Sequence, residues 1–156
     1  MNLLLSGKKV LITGAGRGIG KAIAHLFAEH GAEIFLNGRD ETAIAQLRDE
    51  LVATYSATVH LAVFDVADAE SVKQGFRTLF AITRSLDVLV NNAGILDDAL
   101  IGMVSQAQIQ QTFSANTFSV LYCSQYAARM MQRNKQGCII NMASIIGRVG
   151  NAGQAV

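Results

Sequence analysis

At 156 residues and 16.7 kDa the chain has the size of one domain, enough to bury a core without disulfides or metal. With 51% hydrophobic and 16% charged residues it is not disordered, and 13 basic against 12 acidic side chains, net +1, supply no field for nucleic acid or an anionic membrane. Cys123 and Cys138 are the only cysteines and form no CxxC pair, so neither a zinc site nor a disulfide framework is predicted and a reducing, cytoplasmic setting fits. No apolar run approaches the ~18 residues that would span a bilayer, and the opening MNLLLSGKK is too short for a signal-peptide core, so no membrane partner is expected.

Strand-length apolar runs alternate with segments of helical period, the pattern of βαβ units on a parallel sheet. Lys9 to Thr13 is a first strand, and Ile19, Ile23, Leu26 and Phe27 mark the inward stripe of a helix ending near Gly31. Ile34 to Leu36 is the second strand. Asp40 caps a helix with Ile44, Leu47 and Leu51 inward, and Val59 to Phe64 is the third strand. Asp68 caps the next helix, which buries Val72, Phe76, Leu79 and Phe80. Leu86 to Val90 is the fourth strand, followed by Asn91-Asn92-Ala93-Gly94. Ser105 and Gln108 form a capping box that opens a helix through Ile109 and Phe113, and a long helix covers about Phe118 to Gln132. Cys138 to Met142 is the fifth strand, with Gly147, Gly150 and Gly153 in a loop after it. There is no repeat, linker or low-complexity tract. The predicted fold is α/β: a single Rossmann-like, doubly wound parallel sheet in three αβα layers over residues 1–156.

Thr13-Gly14-Ala15-Gly16-Arg17-Gly18-Ile19-Gly20 stands between a strand and a helix, with four glycines in seven positions. Glycines there let backbone amides approach an anion at the positive end of the helix. Three readings compete: a plain turn, a triphosphate loop and a dinucleotide loop. A turn needs fewer glycines. The form GxxxxGK[ST], suggested by Gly20-Lys21, fails because Ala15 stands at its first glycine and Ala22 at its hydroxyl. GxGxxG fails at Ile19, whereas TGxxxGxG fits.

TGxxxGxG, Asp65 after the third strand, Asn91-Asn92-Ala93-Gly94 after the fourth, Asn116 in the following helix and Ser144 after the fifth occur in the order and approximate spacing of the short-chain dehydrogenases/reductases, which this chain resembles over essentially its whole length. Within them it looks most like the 3-oxoacyl-[acyl-carrier-protein] reductases of fatty acid biosynthesis, through NMASIIGRVGNAGQA. The resemblance implies a nicotinamide dinucleotide held by Gly14, Gly16, Arg17, Gly18, Ile19 and Gly20, with Asp65 and the Val66 backbone on adenine, and Asn92, Ala93 and Gly94 beside the nucleoside.

An acidic residue at the end of the second strand accepts the ribose 2′-OH of NAD, while an Arg accommodates the 2′-phosphate of NADP. Here Gly38 stands where NAD-preferring relatives carry Asp, Arg39 follows it, and Arg17 is a second guanidinium, so NADP (NADPH) is expected over NAD. The alternative for Arg39 is a surface pair with Asp40 or Glu41.

Carbonyl reduction needs a positioned hydride donor, a group polarising the oxygen and an acid. The resemblance assigns Ser144 to the oxygen and Asn116 to ordering a water. It also implies a Tyr immediately after Val156 and a Lys four further on, outside this sequence. Tyr55, Tyr122 and Tyr126 lie in helix-patterned segments and read as packing residues. His25, His30 and His60 complete no metal set. The expectation is therefore an NADP-dependent oxidoreductase reducing a carbonyl, with a 3-oxoacyl thioester as candidate substrate. The alternative is a dinucleotide-binding fragment or pseudoenzyme without the Tyr/Lys pair. The chain reads as part of a longer protein lacking its C-terminal strands, roughly 60 residues at ~30 per βα unit. The resemblance also implies a homo-oligomer formed through the long helix, to which Tyr122, Tyr126, Met130 and Met131 offer an apolar surface.

Overall fold

The computed structural model describes residues 3–156. Five strands, β1 (Lys9–Ile12), β2 (Glu33–Gly38), β3 (Val59–Val63), β4 (Val88–Asn91) and β5 (Cys138–Asn141), pair in parallel in the order β3-β2-β1-β4-β5. The chain winds outward from β1 to β3 and returns to β4 on the other side of β1, so the topological switch lies between β1 and β4. In such sheets ligands bind outside the carboxyl ends of the strands at that switch.

Alternation along the strands splits the core into two layers. Val10, Ile12, Ile34, Leu36 and Val90 pack with helices α1 (Gly18–Glu29) and α2 (Glu41–Tyr55). Leu11, Phe35 and Leu89 face the other way, toward α3 (Ala69–Ile82) and α5 (Ser119–Met131), where Val72, Phe76, Leu79, Cys123 and Ala127 complete the layer. Continuously apolar strands are what a sheet covered on both faces requires. The three-layer doubly wound architecture is as expected.

Local signals placed the helix starts correctly. Asp40 accepts the Ala43 amide, Asp68 accepts those of Glu70 and Ser71, and Ser105 and Gln108 form the reciprocal capping box at α4 (Gln106–Phe113). Three expectations are corrected, for α1, for the break before the long helix and for its methionines. In α1 the buried positions are Gly20, Ala24 and Ala28, with Ile23 and Phe27 at their flank, while Ile19 (61% exposed) and Leu26 face outward. Small residues let this helix lie close to the loop that precedes it. Ile109 and Phe113 lie in α4 as read, and both are exposed. The helix starting at Gln106 does not break before the long one: a five-residue π turn, Ser114–Phe118, joins α4 to α5. Met130 and Met131 are 4% and 7% exposed and Tyr122 and Tyr126 pack on the same cluster, so this stripe is core and not a free association surface. The loop after β5 also contains one helical turn, α6 (Ile146–Val149).

Candidate functional site

The glycine loop leaves β1 at the switch and is held from β4. Thr13 is buried; its hydroxyl donates to the Val90 carbonyl (3.2 Å) and accepts the amides of Asn92 and Ala93 (both 3.0 Å). The Asn92 side-chain amide donates to the carbonyls of Thr13 (2.9 Å) and Gly14 (3.1 Å). Asn92, expected beside the nucleoside, therefore also fixes two of the loop's carbonyls.

Two of the glycines answer to the protein itself. Gly14 has φ +63°, and a Cβ on it would lie 2.8 Å from the Cα of Ala93; one on Gly20 would run into the Gly14 carbonyl oxygen and come 2.6 Å from the Asn92 amide nitrogen. Gly16 differs: a Cβ there would make only ordinary contacts, 3.5 Å to Ala43 and 3.6 Å to Ile44. Packing within the chain gives no reason for that glycine, whereas close approach of a ligand to the backbone does.

Helix α1 begins at this loop without a side-chain cap, its N-cap position being Arg17. By contrast α2, α3 and α4 each carry one. The first amides of a helix lack intrahelical partners and carry partial positive charge, so an uncapped start flanked by glycines and an exposed Arg has the chemistry to receive an anion. Lys21, the residue that suggested a triphosphate loop, points away: its ammonium bonds Glu50 of α2 at 2.7 Å. That bond holds the Glu50 carboxyl below its ordinary value of 4.5.

Arg39 follows β2 with its side chain 72% exposed, and its guanidinium lies 3.7 Å from the Asp65 carboxylate. The partner is thus neither Asp40, whose carboxylate caps α2, nor Glu41. Asp65 uses its other oxygen to accept the Ala67 amide (2.9 Å), an Asx turn, and its own amide donates to Ser71 Oγ (3.0 Å). Val66 beside it is half-buried against the core. Arg39, Asp65 and Val66 stand together past the ends of β2 and β3.

Beyond β4 the chain passes Gly94, where a Cβ would approach the Asn116 side-chain oxygen at 3.1 Å. Asn116 sits in the π turn, and its side chain pairs at both ends with the main chain of Ile95: the oxygen accepts the amide (2.8 Å) and the nitrogen donates to the carbonyl (2.9 Å). A π turn inside a helix frequently marks a functional position. On β5, Asn141 is in register with Asn91, whose side-chain amide donates to it (2.9 Å) and to Ser124 (3.2 Å), and the Met142 amide donates to the Asn91 carbonyl (2.9 Å). Ser144, two residues on, accepts the Ile146 amide at its hydroxyl (3.2 Å), which leaves the O–H free to donate. The loop after α6 returns to the segment beyond β4: the Ala99 amide donates to the Gly153 carbonyl (2.8 Å) and the Gln154 side chain to Asp98 (3.2 Å).

The glycine loop, Asn92–Gly94, Asn116 and Ser144 thus gather at the carboxyl ends of β1, β4 and β5, with Arg39, Asp65 and Val66 past β2 and β3. Sequence reasoning missed Thr13, Asn37, Asn91 with Asn141, and the Asp98–Gln154 contact; a polar residue closing an apolar strand was the available signal at Thr13, Asn37 and Asn141. Tyr55 packs on core with its ring edge-on to His25, and Tyr126 stacks on Phe76. Among the described residues no group of three His, Cys, Asp or Glu side chains could hold a metal ion.

Residues 8–156 match the family model described as short chain dehydrogenase. The 3-oxoacyl-[acyl-carrier-protein] reductase of Chlamydia pneumoniae is 37% identical over 154 residues, which cover 99% of this chain and 62% of that protein. The enzyme of the same name from Aquifex aeolicus (strain VF5) is 30% identical over an equal span. Among solved structures, L-sorbose reductase from Gluconobacter frateurii, complexed with NADPH and L-sorbose, superposes with a TM-score of 0.95 at 28% identity, covering 99% of this chain and 59% of its own. The chain thus spans about 62% of the length of the curated relatives it matches.

Proposed function

The chain belongs to the short-chain dehydrogenase family, and from that premise we propose that it holds NADPH across the ends of β1, β2 and β4, within a protein that reduces a carbonyl to an alcohol. The observation that carries the reading is the uncapped start of α1, opened by a Gly16 that packing does not require and lying at the switch between β1 and β4. The pyrophosphate fits the first amides of α1. Arg39 and Arg17 supply guanidinium groups for a 2′-phosphate, and no carboxylate stands at Gly38 to accept a free 2′-hydroxyl. Asp65 and the Val66 main chain take the adenine, and Ala93 and Gly94 leave room beside the nucleoside.

When bound, NADPH supplies a hydride to the carbonyl carbon and leaves as NADP⁺ while the oxygen takes a proton. Ser144 donates its hydroxyl to the carbonyl oxygen. Asn116 holds the Ile95 segment against the π turn and orders water for the proton path. The two matched 3-oxoacyl-[acyl-carrier-protein] reductases favour a 3-oxoacyl thioester as substrate. No helix among the described residues is long and apolar enough to cross a membrane, and we propose homo-oligomerisation through the helices around Asn116. Their outward apolar side chains are Ile109, Phe113, Phe118 and Leu121, not the buried methionines.

A second reading is favoured by the packing of the tyrosines: Tyr55 in α2 and Tyr122 and Tyr126 in α5 lie against the core clusters and are held there as packing residues. On that reading the chain binds the dinucleotide without turning it over. Calorimetric titration with NADPH and NADH tests the common premise, and millimolar NADPH that leaves the folded chain untouched overturns both. Oxidation of NADPH in the presence of acetoacetyl thioester supports the reductase; tight binding without oxidation supports the module.

A further inference from the structure

The last residue but one of β2 is polar where the fold wants an apolar one. Asn37 is 1% exposed, after Ile34, Phe35 and Leu36, all fully buried. An amide in that position is tolerated only when hydrogen-bonded, and both of its donor bonds run to one place. The side-chain nitrogen donates to the Ala62 carbonyl (2.9 Å) and the Phe64 carbonyl (3.0 Å), while the Asn37 main-chain carbonyl accepts the Ala15 amide of the glycine loop (2.9 Å). The β2–β3 ladder stops at Gly38 and Val63. Past it, Asp65 is braced within its own turn and to Ser71 on α3. The Asn37 bond to the Phe64 carbonyl ties that turn back to β2, and the Ala15 bond ties the same residue to the loop.

We infer that Asn37 is a positioning residue for the adenine end of the dinucleotide: it fixes Asp65 and Val66 at one distance from the glycine loop, so that a ligand gripped at its pyrophosphate meets them. This rests on the cofactor reading above. Asn37 touches no ligand itself. It acts through a carbonyl one residue before Asp65, and its role is in spacing two recognition points that lie on different elements.

The test is discrimination between NADPH and its unsubstituted-purine analogue, which has hydrogen in place of the adenine 6-amino group, keeps the N1 acceptor, and so offers Asp65 no donor. The parent chain is expected to bind NADPH about tenfold more tightly than the analogue, the worth of one hydrogen bond to a charged acceptor. In Asn37→Ser, which leaves room for a bridging water, and in Asn37→Leu, which does not, the preference falls to within about twofold of unity, most completely in the leucine variant. Combined with Asp65→Ala, Asn37→Ser changes the ratio no further. A merely structural residue would weaken both nucleotides equally and leave the ratio intact; that result, in a serine variant folded by circular dichroism, overturns the inference even if the leucine variant fails to fold. A parent that binds both nucleotides equally overturns it too, without touching the cofactor reading. A parent that binds neither overturns both.

Discussion

Exchanging Gly14 and Gly16 for alanine, one at a time, separates what the fold asks of the glycine loop from what a ligand asks. At Gly14 the side chain enters a left-handed backbone at φ +63° and meets Ala93 Cα at 2.8 Å. The first effect costs about 1–2 kcal/mol and the overpacking about 1–3 kcal/mol. The sum, about 2–5 kcal/mol, lowers the melting temperature of a domain this size by roughly 5–15 °C. At Gly16 the new methyl makes contacts of 3.5 and 3.6 Å with Ala43 and Ile44, and the backbone is not left-handed. Stability there holds or rises by about 0.4–1 kcal/mol, because the unfolded chain loses freedom. In the proposed binding mode the same methyl stands between the loop amides and the pyrophosphate, and losing a charge-assisted hydrogen bond weakens NADPH by roughly 10- to 100-fold. Thermal unfolding followed by circular dichroism, alongside calorimetric titration, reads both effects. A Gly16→Ala chain that melts with the parent and binds NADPH equally well would refute the argument that a ligand accounts for this glycine.

Arg39→Ala should weaken NADPH about tenfold and NADH by less than about twofold, a modest effect because the guanidinium is largely exposed and screened; equal losses for both would remove Arg39 from the choice of cofactor. Burial raises the Cys123 thiol to about 12, whereas Cys138 is exposed on β5, so a disulfide reagent at pH 8 should modify one thiol quickly and the second only on unfolding. Two fast thiols would contradict the packing of α5. The Glu50 carboxyl is held below 4.5 by its bond from Lys21, so it titrates lower folded than unfolded. Its contribution is complete above the unfolded value and disappears as pH falls through the folded one. Melting curves between pH 6 and about 3 should therefore decline less steeply for Glu50→Gln than for the parent.

The fold was readable where the controlling interaction is local or periodic. Asp40, Asp68 and Ser105 each bond an amide two or three residues ahead, and such contacts form wherever the chain begins a helix. The strands announced themselves by continuous Val, Ile, Leu and Phe, which only a sheet covered on both faces can bury. Reading α1 by its large side chains failed for a physical reason. The helix starts against the loop it follows, so the face that fits is the one with least on it, Gly20, Ala24 and Ala28, and the bulkier Ile19 and Leu26 turn outward. The same weighting of size over depth made Met130 and Met131 look like a surface, although α3 and β4 both contact α5 and leave them inside.

The site divides along the same line. Its glycines, Arg17, Arg39, Asp65, Asn116 and Ser144 were legible as residue types at stated intervals, but the forces that position them act between residues distant in sequence. Thr13 meets Asn92 across 79 positions, Asn37 meets Phe64 across 27, and Asn116 meets Ile95 across 21. No period or cap encodes such bonds. Asn92 shows what this changes: as a sequence letter it belongs to a small-residue turn that lets a nucleoside approach, while in the fold its amide occupies the carbonyls of Thr13 and Gly14. Those two acceptors are satisfied from β4, and the loop runs on from them into the uncapped start of α1. The loop on which the proposed anion site depends is thus positioned by a residue that lies outside it.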